Sequence, residues 1–397
     1  MSTAGSDPLG REIRAISLIG FGHFLSHFYM FGLVPLTIPI VSDLHISAVE
    51  LALIYGAFNV ATALLQTPMG LLVDRLGARR VLIGGLFVTS ASFSLCGLTS
   101  SYWELLVLYT LAGAGNSVFH PADFVILTAS VDETRQGKAY SMHSFGGALG
   151  IGAPLIIMTL LWNLTNWRTA IVIAGTLGII LSLIFIFSTD TLSEDAKTRR
   201  KQKSELPIRS ILNRGVILLF LFYVLTSSTN IGLTLFAPFY LPALYQVSVE
   251  KANYILSFLV FSNAIGTLVG GWLADRTTRH DLVLVISFSI YAALLALIGT
   301  AWLPVFLLIG AFTLGGFLRG LVNPSRDIMV REIAPVGALG TVFAFVSTGF
   351  NIGQGAAPIA YGALVDAKLA NEVVYLSAAF MVASIFLLLF TRSQRFR

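Results

Sequence analysis

Apolar residues along this chain neither alternate nor form narrow stripes. They come in long blocks separated by short polar breaks, near 15–41, 49–72, 81–99, 103–129, 139–162, 167–188, 215–241, 252–275, 281–300, 303–330, 338–364 and 371–391. A helix needs about 20 residues to cross the hydrocarbon core of a bilayer, and the longer blocks leave room for tilt. The pattern predicts an all-α integral membrane protein with twelve transmembrane helices. One long polar segment, "STDTLSEDAKTRRKQKSELPIRSILNRG", follows the sixth block. It divides the chain into a six-helix half at 1–188, a connecting loop at 189–214 and a second six-helix half at 215–397.

Composition supports lipid as the solvent. Of 397 residues, 56% are hydrophobic and 11% are charged, whereas soluble domains carry roughly a quarter charged residues. The first apolar block follows a polar start and lacks a small-residue cleavage signature, so it reads as a span and not a removed signal. The single cysteine, Cys96, allows no internal disulfide.

The net charge of +5 is distributed unevenly. One set of loops holds Arg11, Arg14, Arg75, Arg79, Arg80, Arg135, Lys138, the basic residues from Lys197 to Arg214, Arg276, Arg279, Arg331, Arg392, Arg395 and Arg397. The opposite set holds Arg168, Lys251 and Lys368. The positive-inside rule places both termini and the connecting loop in the cytoplasm, with the chain in a bacterial cytoplasmic membrane. The basic excess is then a topology signal, and no nucleic-acid partner is expected.

Shifted by about 200 residues, the chain partly matches itself. "GLLVDRLGARR" (70–80) parallels "GWLADRTTRHD" (271–281). "GNSVFHPAD" (115–123) parallels "LRGLVNPSR" (318–326). "GKAYSMHSFGGALGIGAPL" (137–155) parallels "GTVFAFVSTGFNIGQGAAPI" (340–359). Six helices separate the copies, so the two halves face the same way. Parallel six-helix halves are a transporter architecture.

These motifs resemble the major facilitator superfamily of secondary transporters. "HPA" in helix 4 and "GGALGIGAP" in helix 5 are similar to its fosmidomycin-resistance-like bacterial branch. The superfamily's antiporter motif usually ends in Gly-Pro followed by a Gly pair. Here Gly152-Ala153-Pro154 has no such pair after it. The resemblance implies two pseudo-symmetric halves, alternating access, and a central cavity lined by helices 1, 4, 7 and 10.

It also implies roles for the loop motifs. Gly70, Asp74, Arg75 and Arg79, with their copies Gly271, Asp275 and Arg276, are expected to form gating latches. There a carboxylate meets the positive end of a neighbouring helix dipole. Asp74 would meet the start of helix 11 near Gly337–Gly340, and Asp275 the start of helix 5 near Gln136–Lys138. Asp123 and Arg326 are expected to pair or to guard the inner gate. The four-residue glycine spacings Gly146/Gly150, Gly266/Gly270 and Gly349/Gly353 mark close helix contacts, either static or at a rocking half–half interface, the reading adopted here.

Polar residues concentrate in the four cavity-lining spans. Arg319, near the middle of helix 10, is expected to anchor an anion, because its planar fork stays protonated. Asn323, Asn116, Tyr29 and Asn230 are expected to contact substrate beside it. His23 and His27, one turn apart on helix 1, and His120 on helix 4 are expected to couple proton movement to transport, since histidine titrates near physiological pH. His143 reads as packing or interface. The i, i+4 pair His23/His27 with His120 could also take a transition metal, but no metal site is expected.

The function that follows is proton-coupled carriage, symport or antiport, of a small organic anion by a monomer in the lipid bilayer. Efflux of an amphiphilic drug is the alternative, supported by Phe21, Phe24, Phe28 and Phe31. A polytopic enzyme using His120 and Asp123 is a remote third. Neither enzyme activity nor a cofactor is expected.

Overall fold

Proline marks where four of the predicted spans stop being continuous. The computed structural model describes residues 8–132, 135–188, 192, 213–335 and 339–393. In the first half, α1 (Pro8–Phe31), a 3-10 turn (Val34–Leu36) and α2 (Thr37–Leu44) make the first span. Then come α3 (Ala48–Leu76), α4 (Ala78–Cys96), α5 (Tyr102–Asn116) with α6 (Phe119–Ser130), α7 (Gln136–Leu164) and α8 (Trp167–Phe187). In the second half, α9 (Arg214–Leu235) and α10 (Ala237–Tyr245) make the seventh span. They are followed by α11 (Val249–Ala274), α12 (His280–Gly299), α13 (Val305–Leu321) with α14 (Asn323–Ile333), α15 (Leu339–Asp366) and α16 (Ala370–Ser393).

The first, fourth, seventh and tenth spans, predicted as single helices, are therefore each two. A proline lacks an N–H, and its ring clashes with the carbonyl four residues earlier. For Pro35, Pro121, Pro238 and Pro324 that earlier residue is Phe31, Ser117, Thr234 or Gly320, each within one residue of a helix end. Pro68, Pro154 and Pro358 sit inside helices that stay continuous, so proline contributes to the breaks without forcing them. The other eight spans are single helices.

Local signals set several helix ends. Ser101 and Glu104 form a reciprocal capping box at the start of α5, satisfying two N–H groups that a helix start leaves free. Asn166, Asn213 and Ser248 accept from the third residue of α8, α9 and α11. Gly77, with φ of 93°, makes the tight turn between α3 and α4, a conformation in which a Cβ would be strained.

By packing, the described residues fall into two compact units, one of 1–36 with 57–201 and the other of 37–56 with 202–397. In the first unit α7 lies along α1, α8 along α4, and α5 against α4. The second repeats this with α15 along α9, α16 along α12, and α13 against α12. The helix starts repeat as well, 102 with 305 and 136 with 339. Inside the second unit, Asp366 accepts from the N–H groups of Ala48 at 2.7 Å and Val49 at 3.1 Å, capping α3.

The spaced glycines seat helices within each unit, the static-packing half of the expectation. A Cβ on Gly146 or Gly150 would strike the backbone of Gly20 or Phe24 on α1. One on Gly349 or Gly353 would strike Phe220 or Val224 on α9, and one on Gly266 or Gly270 would strike Phe317 or Leu321 on α13. Close backbone approach of this kind is what small residues provide where lipid gives no hydrophobic drive. Gly270→Val is expected to cost about 1–3 kcal/mol by overpacking, read as a lowered Tm in detergent. Gly271→Ala, whose Cβ meets nothing within 4 Å, should leave Tm unchanged.

Candidate functional site

Two polar clusters stand out, one in each unit. The first gathers all three expected proton-coupling histidines and adds two residues. His23 on α1 is buried, and its ring lies 4.7 Å from that of His27, 5.1 Å from that of His120 and 3.7 Å from that of His143 on α7. Asp123, one turn after His120 on α6, is fully buried. Its Oδ2 stands 2.9 Å from Nε2 of His143 and 3.6 Å from Nδ1 of His23. Gly147 makes this crowding possible, because a Cβ there would collide with the His23 ring.

The cluster is under-satisfied. Nδ1 of His23, Nδ1 of His27 and Oδ1 of Asp123 are buried and have no hydrogen-bond partner among the described residues. A lone carboxylate removed from water costs several kcal/mol unless a cation or proton offsets it. The described titratable groups around Asp123 are His23 and His27 on α1, His120 on its own helix and His143 on α7. One proton on this group neutralises it. His120 is exposed, so the cluster reaches the surface of the unit there.

Donor atoms of His23, Asp123 and His143 lie within 4.8 Å of one another, close enough to raise the question of a metal. The rings of His23 and His143 are stacked, with planes 29° apart, so their in-plane lone pairs do not converge on one point. That geometry suits proton sharing better than coordination.

The second cluster surrounds Arg319. The tenth span runs Val305–Ile333, and Arg319 lies about 21 Å along it at a rise of about 1.5 Å per residue, close to midway. Its Nη1 donates to Oδ1 of Asn230 on α9. With the Asn263 amide turned so that both its groups are satisfied, Oδ1 of Asn263 on α11 accepts from Arg319 Nε at 3.2 Å and from the Gly320 N–H at 2.9 Å. Asn323, one turn further on, donates to Thr267 Oγ1 at 3.1 Å. The buried Tyr291 hydroxyl lies beside the guanidinium without a well-formed hydrogen bond. No carboxylate lies within ion-pairing distance of Arg319 among the described residues, and none of them accepts from its Nη2 group.

Several expectations change. Tyr29 is fully buried; its hydroxyl donates to the Ala174 carbonyl and its ring packs on Phe93, so it braces the fold and does not face a substrate. Asn116 is also internal, accepting from Ser26 Oγ at 2.6 Å. Asp123 and Arg326, expected to pair or to guard the inner gate, each have partners within their own unit. Asp123 is held by histidines, while Arg326 donates to Asp327 and lies over the Tyr223 ring, whose hydroxyl reaches the same carboxylate. Arg79 donates to the carbonyls of Phe185 and Ile186 at the end of α8, a cation on the negative pole of a helix.

A Cβ on Gly70 would come within 3.8 Å of Pro121, and Asp74 and Arg75 are exposed at the end of α3. The start of helix 11 assigned to Asp74 lies partly outside the described residues. Asp275 sits at the end of α11, its N–H on the carbonyl of Gly271, while the Leu273 carbonyl accepts from the N–H groups of Arg276 and Thr277. Arg276 folds back on Trp272.

Asn263, Thr267 and Tyr291 escaped sequence reasoning, as did the part played by His143. The available signal for the first two was their four-residue spacing on α11, alongside Gly266 and Gly270.

The profile described as Major Facilitator Superfamily matches residues 19–279 and 241–397. The fosmidomycin resistance protein of Escherichia coli (strain K12) is 23% identical over 377 residues, 92% of this chain and 89% of that protein. A D-galactonate transporter of Escherichia coli O6:H1 is 21% identical over 380 residues, covering 87% of each. Among solved structures, a bacterial homologue of the human lysosomal transporter Spinster, inward-facing and unoccupied, superposes with a TM-score of 0.81 at 16% identity, over 98% of both chains.

Proposed function

This chain belongs to the major facilitator superfamily, and from that premise we propose that it carries a small organic anion by alternating access, coupled to proton movement. Membrane transport follows from the family; anion and proton are the finer reading. The observation that carries it is Arg319, a cation midway along a span, held by the amides of Asn230 and Asn263 and facing no described carboxylate. A charge in the hydrocarbon region is costly. Two amides orient the guanidinium without neutralising it, which leaves Nη2 and the net charge for a ligand carboxylate or phosphonate. A relative named for D-galactonate, itself an organic anion, agrees with this.

The His–Asp cluster of the first unit supplies the proton site. The basic excess of one set of loops supports an orientation with both termini in the cytoplasm of a bacterial cell, and a single chain holds both clusters. Amphiphile efflux is less well supported. Of the four phenylalanines on α1 that suggested an aromatic pocket, Phe28 and Phe31 are buried in packing.

A thermal-shift screen of purified protein tests the reading, since a bound ligand raises Tm by mass action. Sugar acids such as D-galactonate, dicarboxylates and alkyl phosphonates should include a stabilising ligand, stronger at pH 5.5 than at 7.5. Neutral sugars and cationic amphiphiles should not. Stabilisation confined to amphiphiles would overturn the anion reading and favour efflux.

A further inference from the structure

The two units differ at one place that transport does not explain. In the second unit, Gly266 and Gly270 let α11 press directly on the backbone of Phe317 and Leu321 in α13. α3 and α11 start 201 residues apart, at 48 and 249, and Gly70 and Asp74 match Gly271 and Asp275 at the same offset. At that offset Leu65 and Met69 stand where the second unit has its two glycines. α3 still presses on α5 higher up, where a Cβ on Gly113 would strike the Phe58 backbone and Thr62 donates to the Gly113 carbonyl at 2.8 Å; past that contact the Leu65 and Met69 side chains replace the close glycine approach of the second unit. What opens is an apolar groove of about 370 Å³ between α3, α4 and the end of α5.

Its α3 wall is Leu65, Met69, Leu72 and Leu76; Gly84 lies on the α4 side, and Arg80 closes one end. From Leu65 to Leu76 is eleven residues, or about 16 Å at helical rise. Half of a hydrocarbon core about 30 Å thick is about 15 Å. The groove therefore matches the depth of one leaflet. At its end, the loop carries Asp74 against Arg75, Arg79 and Arg80. Arg79 is spent on the α8 carbonyls, whereas Arg80 is exposed.

We propose that this groove binds one acyl chain of an anionic phospholipid, with the headgroup phosphate on Arg80. Length and apolar lining select the chain, and the net positive loop selects the headgroup. The site is distinct from both polar clusters and does not depend on which substrate is carried.

Gly84 provides the test, because a Cβ there meets nothing within 4 Å, so Gly84→Leu fills the groove without disturbing the fold. Delipidated full-length protein would be titrated with dioleoyl phosphatidylglycerol or dioleoyl phosphatidylcholine and read by native mass spectrometry. Wild type should bind one phosphatidylglycerol at least tenfold more tightly than phosphatidylcholine. Gly84→Leu should weaken that first lipid at least tenfold, and Arg80→Gln should erase the preference between headgroups. Equal binding of the two lipids by wild type, or unchanged phosphatidylglycerol binding by folded Gly84→Leu, would overturn the proposal. If Gly84→Leu does not purify, Arg80→Gln decides alone: a headgroup preference kept in that variant overturns the site.

Discussion

Arg319→Gln is expected to lower affinity for the anionic substrate by about 100-fold, while leaving the protein at least as heat-stable as wild type. The two readouts pull apart because of where the residue sits. A charge-assisted hydrogen bond contributes about 1.5–3 kcal/mol, and 2.7 kcal/mol is about 100-fold in Kd. Gln retains a partner for Asn230 and Asn263 but gives a carboxylate nothing charged to meet. The wild-type cation, lacking a described carboxylate, is a stability cost inside the span, so removing it should not lower Tm. Arg319→Lys should recover part of the affinity, since it keeps the charge and loses the fork. Calorimetry with the acid found by thermal shift measures all three proteins. Wild-type affinity in Arg319→Gln would place the anion elsewhere.

Asp123→Asn is expected to abolish accumulation driven by a pH gradient while sparing substrate exchange. One pH unit is worth about 1.4 kcal/mol per proton, so a one-proton carrier can concentrate its substrate up to about tenfold per unit of gradient. Asn is nearly the same shape and still meets His143, but the cluster no longer needs a proton to become neutral. Proteoliposomes with an imposed gradient should accumulate substrate with wild type and only equilibrate it with the variant. Counterflow under equal pH should survive in both. Tenfold accumulation by Asp123→Asn would remove this cluster from the coupling mechanism.

Much of the architecture was legible because its signals are long. A block of 20 apolar residues, a charge bias between loops and a repeat of half the chain each sum over many positions. Arg319 and the three histidines were legible for the opposite reason: in an apolar span a single titratable group is conspicuous. Contacts that depend on helix rotation were not. His143 and Asp123 lie on different helices, and no spacing within either reveals that they meet. The glycines signalled close approach but not the helix they meet. Tyr29 looked available because its polar end was counted without the Ala174 carbonyl that uses it. The broken spans were hidden because apolar residues continue through each break, and only the prolines hinted at it.

Those breaks also carry a history. Pro35 and Pro238, and again Pro121 and Pro324, are 203 residues apart, the spacing expected if each joint predates a duplication of one ancestral half. The same offset connects His27 to Asn230, Asn116 to Arg319, His120 to Asn323 and Asp123 to Arg326. Both halves keep a break at these places but fill the matching positions differently: His27, Asn116, His120 and Asp123 in one, Asn230, Arg319, Asn323 and Arg326 in the other. Titratable groups in the first half thus stand opposite amides and fixed cations in the second.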